Sequence, residues 1–266
     1  MPLEVRAGHL THWQVLGRGV RPALAIHCSL ASSRAWDGVA GHLADRLTLT
    51  AFDLPGHGRS ADWDGQGDYL TRSVQIAASF MDRSLDLIGH SFGAVAALRL
   101  AIAAPEAVRT LTLVEPVLFA AARGTAPWDG HLAEMAPFDA AMRAGDHTEA
   151  ARLFTALWGT GVDWQDMGEA SRRDVTSRIS LVEAGGASLF DDAGGILRPG
   201  ALECLEIPVL LIRGDRSPAI VEPVVEAIAA RLPDVGVAIV PGAGHMLPIT
   251  HPAETAGLIG VNLDRG

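Results

Sequence analysis

The chain has 266 residues, 48% of them hydrophobic, with 21 basic and 31 acidic side chains and a formal charge of −10. That acidic balance excludes nucleic acid and an anionic membrane surface as expected partners, and the apolar share can fill a large core unaided. Every basic residue is arginine, which excludes a lysine Schiff base; Cys28 and Cys204 are too few for a disulfide framework and are expected as reduced core residues.

In chain order, residues 1–10 contain Glu4, Arg6 and His9 and lack the apolar core of a secretory signal. No apolar run is long enough to span a bilayer, so a cytoplasmic location is expected. Residues 11–16 read as a first, edge strand and 23–28 as a buried strand. The pattern predicts a helix over 36–46, a strand over 47–52 and an amphipathic segment over 69–81. The apolar run at 85–88 reads as a buried strand, the alanine-rich stretch 94–104 as a helix, and 110–114 as another strand. Strand signal then disappears until 207–213, which is followed by a helix at 219–232, a strand at 237–240 and a closing helix at 252–263. Buried strands alternating with helices predict an α/β fold, a doubly wound and mostly parallel sheet covered on both faces. In the strandless part, Asp146-His147-Thr148-Glu149 reads as a capping box leading into a helix that stops at Gly159. Trp128, Met135, Phe138, Phe154, Trp158, Trp164 and Met167 concentrate there. The expected organisation is a core of 1–116 and 200–266 with an inserted helical cap, or lid, at 117–199, whose underside lines an apolar pocket.

The segment Gly89-His90-Ser91-Phe92-Gly93 joins a predicted strand to a predicted helix. A serine between two glycines at such a turn is the G-x-S-x-G nucleophile elbow: the glycines remove clashes, and the strained serine is held exposed at a helix start. That points to acyl transfer, most simply hydrolysis. Three further segments support it: Ile26-His27-Cys28-Ser29-Leu30, then Asp53-Leu54-Pro55-Gly56-His57-Gly58-Arg59-Ser60, and finally Gly242-Ala243-Gly244-His245. Together and in this order they resemble the α/β-hydrolase family, and the cap resembles that of small, cofactor-free bacterial members.

The resemblance implies roles for particular residues. Ser91 matches the nucleophile and His245 the base that activates it and later protonates the leaving group. The Phe92 N–H matches one oxyanion donor, and the Ser29 N–H the second, with Leu30 as its alternate. The family glycine after His27 is Cys28 here, so a side chain there should tilt this loop or pack beneath it. In most members an aspartate stands three residues after the glycine now at Gly214; that position is Ser217. Two carboxylates remain as the triad acid: Glu115, at the end of the preceding strand, where some family branches carry it, and Asp215 as the alternative. The remaining histidines read as structural: His27, His57 and His90 in the motif turns, His251 at a helix start, and His9, His12, His42, His131 and His147 in surface-like contexts. No metal and no cofactor are expected. Ser91 stands where haloalkane dehalogenases and epoxide hydrolases of this fold use aspartate, so those chemistries are excluded. The expected activity is a serine hydrolase acting on a small or medium carboxylic ester, thioester or lactone. Alternatives are a C–C bond hydrolase, with Arg123 or Arg143 receiving a carboxylate tail, a perhydrolase resembling the haloperoxidases, and a non-catalytic ligand-binding homologue. A small-molecule substrate is the expected partner, and a homodimer is left open.

Overall fold

The computed structural model describes residues 2–266. Its strands are β1 (Leu3–Arg6), β2 (His9–Leu16), β3 (Arg21–Ile26), β4 (Leu47–Phe52), β5 (Leu85–His90), β6 (Val108–Val114), β7 (Val209–Gly214) and β8 (Val235–Val240). They form a single sheet in the order β1-β2-β4-β3-β5-β6-β7-β8. β1 and β2 are antiparallel to their neighbours, and every pair from β4 to β8 is parallel. The helices before β6 are α1 (Asp37–His42), α2 (Tyr69–Ala78) and α3 (Phe92–Ala103). Between β6 and β7 lie α4 (Ala126–Arg143), α5 (His147–Trp158), α6 (Glu169–Arg178), α7 (Ser180–Ala184) and α8 (Gly186–Phe190). The chain closes with α9 (Val221–Ala229), α10 (Leu247–Thr250) and α11 (Pro252–Leu263).

Alternation along the central strands explains the two-sided packing. Leu24, Ile26, Leu87 and Leu211 enter a core shared with α2, α3 and α9. Their neighbours Ala23, Ala25, Ile88, Leu210 and Ile212 enter a second core with Trp36, α1 and α11. A strand residue and its neighbour point to opposite faces, so a run that is apolar throughout requires cover on both. Helix α3 is apolar apart from Arg99, which reaches Thr71 and Asp68: Ala94 to Leu98 are all buried, and its small side chains let it sit close against β3 and β5. The inserted helices hold a small cluster of their own, with Phe138, Met142, Ala150 and Ile179. Asp146 accepts a hydrogen bond from the Glu149 N–H at 3.0 Å, which is the start predicted for α5.

Three expectations require correction. The edge strand is β1 rather than the segment at 11–16. It turns back onto β2 through Ala7 and Gly8, both at positive φ (47° and 81°). Residues 36–46 form a 3-10 turn (Ser33–Trp36) running into the short α1 rather than one helix, and the Leu43 N–H closes that helix on Ala40. Cys204 is exposed, because it lies in the irregular stretch leading to β7, whereas Cys28 is buried.

The elbow explains the glycine at Gly93. A Cβ there would meet the His27 carbonyl oxygen at 2.5 Å and the Ile26 carbonyl carbon at 2.7 Å, both rigid backbone. Gly93→Ala is therefore expected to destabilise the protein by about 1–3 kcal/mol, read from urea denaturation, because β3 must shift to accept one methyl group. An unchanged midpoint would contradict that packing.

Candidate active site

Ser91 is the residue between β5 and α3, and it takes φ 57° and ψ −119°. That backbone is unfavourable for a side-chain-bearing residue and persists because its surroundings fix it: the Ser91 N–H donates to the Val114 carbonyl at 2.9 Å. The turn raises the hydroxyl toward His245, which follows β8 through the Gly242-Ala243-Gly244 loop. His245 Nε2 lies 2.9 Å from Ser91 Oγ, and its Nδ1 lies 3.0 Å from Glu115 Oε2. With the proton on Nδ1, the imidazole donates to Glu115 and accepts from the serine hydroxyl.

Glu115 leaves the end of β6 at φ 52° and is fully buried. A buried carboxylate needs hydrogen bonds to offset its lost hydration. Its Oε1 receives two, from the Gly214 N–H at 2.6 Å and the Ser217 hydroxyl at 2.7 Å, which leaves Oε2 for His245. Ser217, the residue standing where an aspartate was expected, thus hydrogen-bonds the carboxylate that faces the histidine. Asp215 does not approach His245. It is exposed, and its Oδ1 accepts from the Gly242 N–H at 2.7 Å, tying down the loop that carries the histidine.

The loop after β3 is held from the Asp53–Ser60 turn. His27 Nδ1 donates to the Cys28 carbonyl at 2.7 Å, and its Nε2 accepts from the Leu54 N–H at 2.9 Å. His57 Nδ1 donates to the Pro55 carbonyl at 3.0 Å, and its Nε2 accepts from the Leu30 N–H at 3.0 Å. The Leu30 N–H is therefore engaged and unavailable as the alternate oxyanion donor. The Ser29 and Phe92 N–H groups, by contrast, make no hydrogen bond among the described residues, and both residues border the pocket that contains Ser91. Cys28 packs beneath the loop, its Sγ 4.0 Å from Met246 Sδ.

Burial pushes the His27 imidazole down to about 4 and His57 to about 3, and drives His90 well below its usual range. Protonating His27 or His57 would also set a new N–H against the amide it now accepts from. Since these folded values lie below the ordinary 6.5, stability is complete above about pH 6.5 and falls as pH drops toward 4, where the unfolded chain binds more protons. Urea midpoints should show that decline, and His57→Gln should reduce its slope by up to about 1.4 kcal/mol per pH unit. A flat profile from pH 7 to 4.5 would contradict this account.

The pocket above Ser91 has about 590 Å³ of free space, including its mouth, and its lining is mostly apolar, with Val117, Phe119, Phe154, Trp158, Leu189 and Phe190 prominent. Trp158 stands edge-on to His245, ring centres 4.6 Å apart. Two histidines expected at the surface are buried. His12 is 2.8 Å from Asp53 Oδ2, and His131, on α4, is 2% exposed and lines the pocket. The spacing of His131, Met135, Phe138 and Met142 is a helical stripe, a signal that could have turned His131 inward. Arg123 reaches the Phe190 carbonyl and Asp191, Arg143 is exposed, and neither lines the pocket. Among the described residues no three His, Cys, Asp or Glu side chains are grouped to hold a metal ion, and no helix is long and apolar enough to cross a membrane.

Residues 23–258 match the family model described as "Alpha/beta hydrolase family". A pimeloyl-[acyl-carrier protein] methyl ester esterase of Nitrosomonas europaea is 32% identical over 155 residues, 58% of this chain and 60% of that protein. The protein of the same name from Yersinia pseudotuberculosis is 25% identical over 93% of this chain and 95% of its own length. Among solved structures, a hydrolase from Pseudomonas aeruginosa PA01 superposes with a TM-score of 0.73 at 21% identity, covering 97% of this chain and 96% of its own.

Proposed function

The chain belongs to the alpha/beta hydrolase family, and from that premise we propose that it cleaves small or medium carboxylic esters through an acyl-enzyme on Ser91. The observation that carries the reading is the continuous hydrogen-bonded line Glu115–His245–Ser91, opening on an apolar pocket beside two unengaged N–H groups. Ser91 Oγ attacks the ester carbonyl as His245 Nε2 takes its proton, and Glu115 stabilises the imidazolium so formed. The Phe92 and Ser29 N–H groups receive the oxyanion; each such donor is worth about 10²–10³ in rate. His245 then protonates the departing alcohol, and a water activated by the same imidazole releases the acid.

Helices α4–α8 act as a cap that shields the acyl-enzyme from bulk water. The apolar lining favours a substrate that is largely hydrocarbon near the reacting carbonyl. The relatives' name specifies a carrier-protein ester, but four arginines of the inserted segment, Arg123, Arg152, Arg173 and Arg178, are paired with Asp191, Glu149, Glu169 and Asp174. Arg143 and Arg198 are exposed without an acidic partner among the described residues, so the pairing alone does not decide against a carrier protein; we read the substrate as a free small ester from the apolar pocket lining, which includes no arginine. The positions of Arg123 and Arg143 outside the pocket give no support to a C–C hydrolase.

The test is hydrolysis of p-nitrophenyl esters from acetate to octanoate. Turnover with an optimum at short or medium length is expected, and absence of turnover across the series would overturn the reading.

A further inference from the structure

We propose that His131 is a specificity residue that hydrogen-bonds a neutral oxygen, a ketone or hydroxyl, carried by the substrate limb that enters the pocket beyond Ser91. This rests on the esterase reading above and names the substrate class more closely.

The pocket lining is apolar except for a few side chains, and most of those already have partners. Ser91 and His245 bond to each other. His131 does not fit that pattern: it is 2% exposed, and neither ring nitrogen has a hydrogen-bond partner. Its neighbours are aromatic, with ring centres 4.6 Å away at Phe119, 5.6 Å at Trp158 and 6.0 Å at Phe190. The Phe190 ring is also nearly parallel to it, at 3°. Aromatic faces cannot satisfy two imidazole nitrogens, and a buried polar group without a partner costs about 1–3 kcal/mol. A leucine or phenylalanine would pack in the same place without that cost. The histidine is therefore matched to a polar group that arrives with the substrate.

Position and charge identify that group. Trp158 packs against both histidines, its ring centre 5.6 Å from that of His131 and 4.6 Å from that of His245, so the imidazoles are separated by no more than those two steps. An oxygen bound to His131 thus sits a short chain away from the scissile carbonyl. Burial pushes His131 down to about 4, so near neutrality it offers one N–H donor and one lone pair, with no positive charge. A neutral ketone accepts from that N–H, and a hydroxyl can use either nitrogen. A carboxylate would bring an unpaired charge into the aromatic chamber and is rejected.

The experiment compares methyl esters of straight-chain acids with ketone-bearing esters of equal length, the ketone walked from the fourth to the sixth carbon. A parallel set places the ketone in the alcohol limb, and one further ester ends in a carboxylate. Wild type is expected to favour at least one ketone position by about 10–100-fold in kcat/KM over its alkyl partner, the magnitude set by leaving or filling a buried donor. His131→Leu should bring that ratio to about one, and His131→Gln, which keeps a donor, should retain part of it. Equal rates for ketone and alkyl partners in wild type, or a ketone preference that survives His131→Leu, would overturn the proposal while leaving the esterase reading intact. A preference for the carboxylate ester would overturn it too. Failure to cleave any ester would overturn the esterase reading, and this proposal with it.

Discussion

Ser91→Ala is expected to lower kcat/KM for every ester tested by about 10⁴-fold or more, with an unchanged urea midpoint. Among the described residues the Ser91 hydroxyl is the one side-chain group hydrogen-bonded to His245 Nε2, at 2.9 Å, and alanine leaves no nucleophile in contact with that base. The fold should tolerate the change, because the elbow is held by backbone hydrogen bonds such as the Ser91 N–H to Val114 and not by the hydroxyl. Activity retained within about tenfold would point to direct attack by water and contradict an acyl-enzyme.

The second large effect concerns the acid. Glu115→Gln is expected to cost about 10³–10⁴ in kcat, because an amide facing His245 Nδ1 either presents a donor to a donor or fixes the wrong tautomer. Asp215→Asn should change the rate by less than about threefold, since that carboxylate only accepts from the Gly242 N–H at the surface and an amide oxygen can do the same. Ser217 supplies a further check. Its hydroxyl lies 2.7 Å from Glu115 Oε1, so Ser217→Asp introduced into the Glu115→Gln background puts a carboxylate near the emptied charge position and should recover part of the loss. If Asp215→Asn were the more damaging change, Glu115 would not be the acid.

Features confined to short stretches of chain were the most legible in the sequence. The elbow, the Asp53–Ser60 turn and the glycine-flanked His245 depend on residues a few positions apart, where glycine spacing and chain direction already dictate geometry. Glu115 was visible as a carboxylate at a strand end, but sequence alone left it beside Asp215. What separates them is the opposite orientation of two loop side chains, one turned in to Gly214 and Ser217 and the other out to Gly242. The β1 hairpin was not legible, because its strand has four residues and its turn begins with Ala7, which lacks the usual asparagine or glycine signal for positive φ. His131 was misplaced because a lone histidine beside exposed neighbours reads as surface, while its burial is set by Phe119, Trp158 and Phe190, distant in sequence. Ser217 looked like a loss when it is a hydrogen-bond partner; only the position of Glu115 in space gives it that part.

The most direct test is the intact mass of the protein after exposure to a fluorophosphonate, with the modified residue located by peptide sequencing. A single adduct on Ser91, absent in Ser91→Ala and much slower to form in Glu115→Gln, is the expected result. No adduct on the wild-type protein, or an adduct on another residue at undiminished rate in Ser91→Ala, would contradict a serine nucleophile at this site.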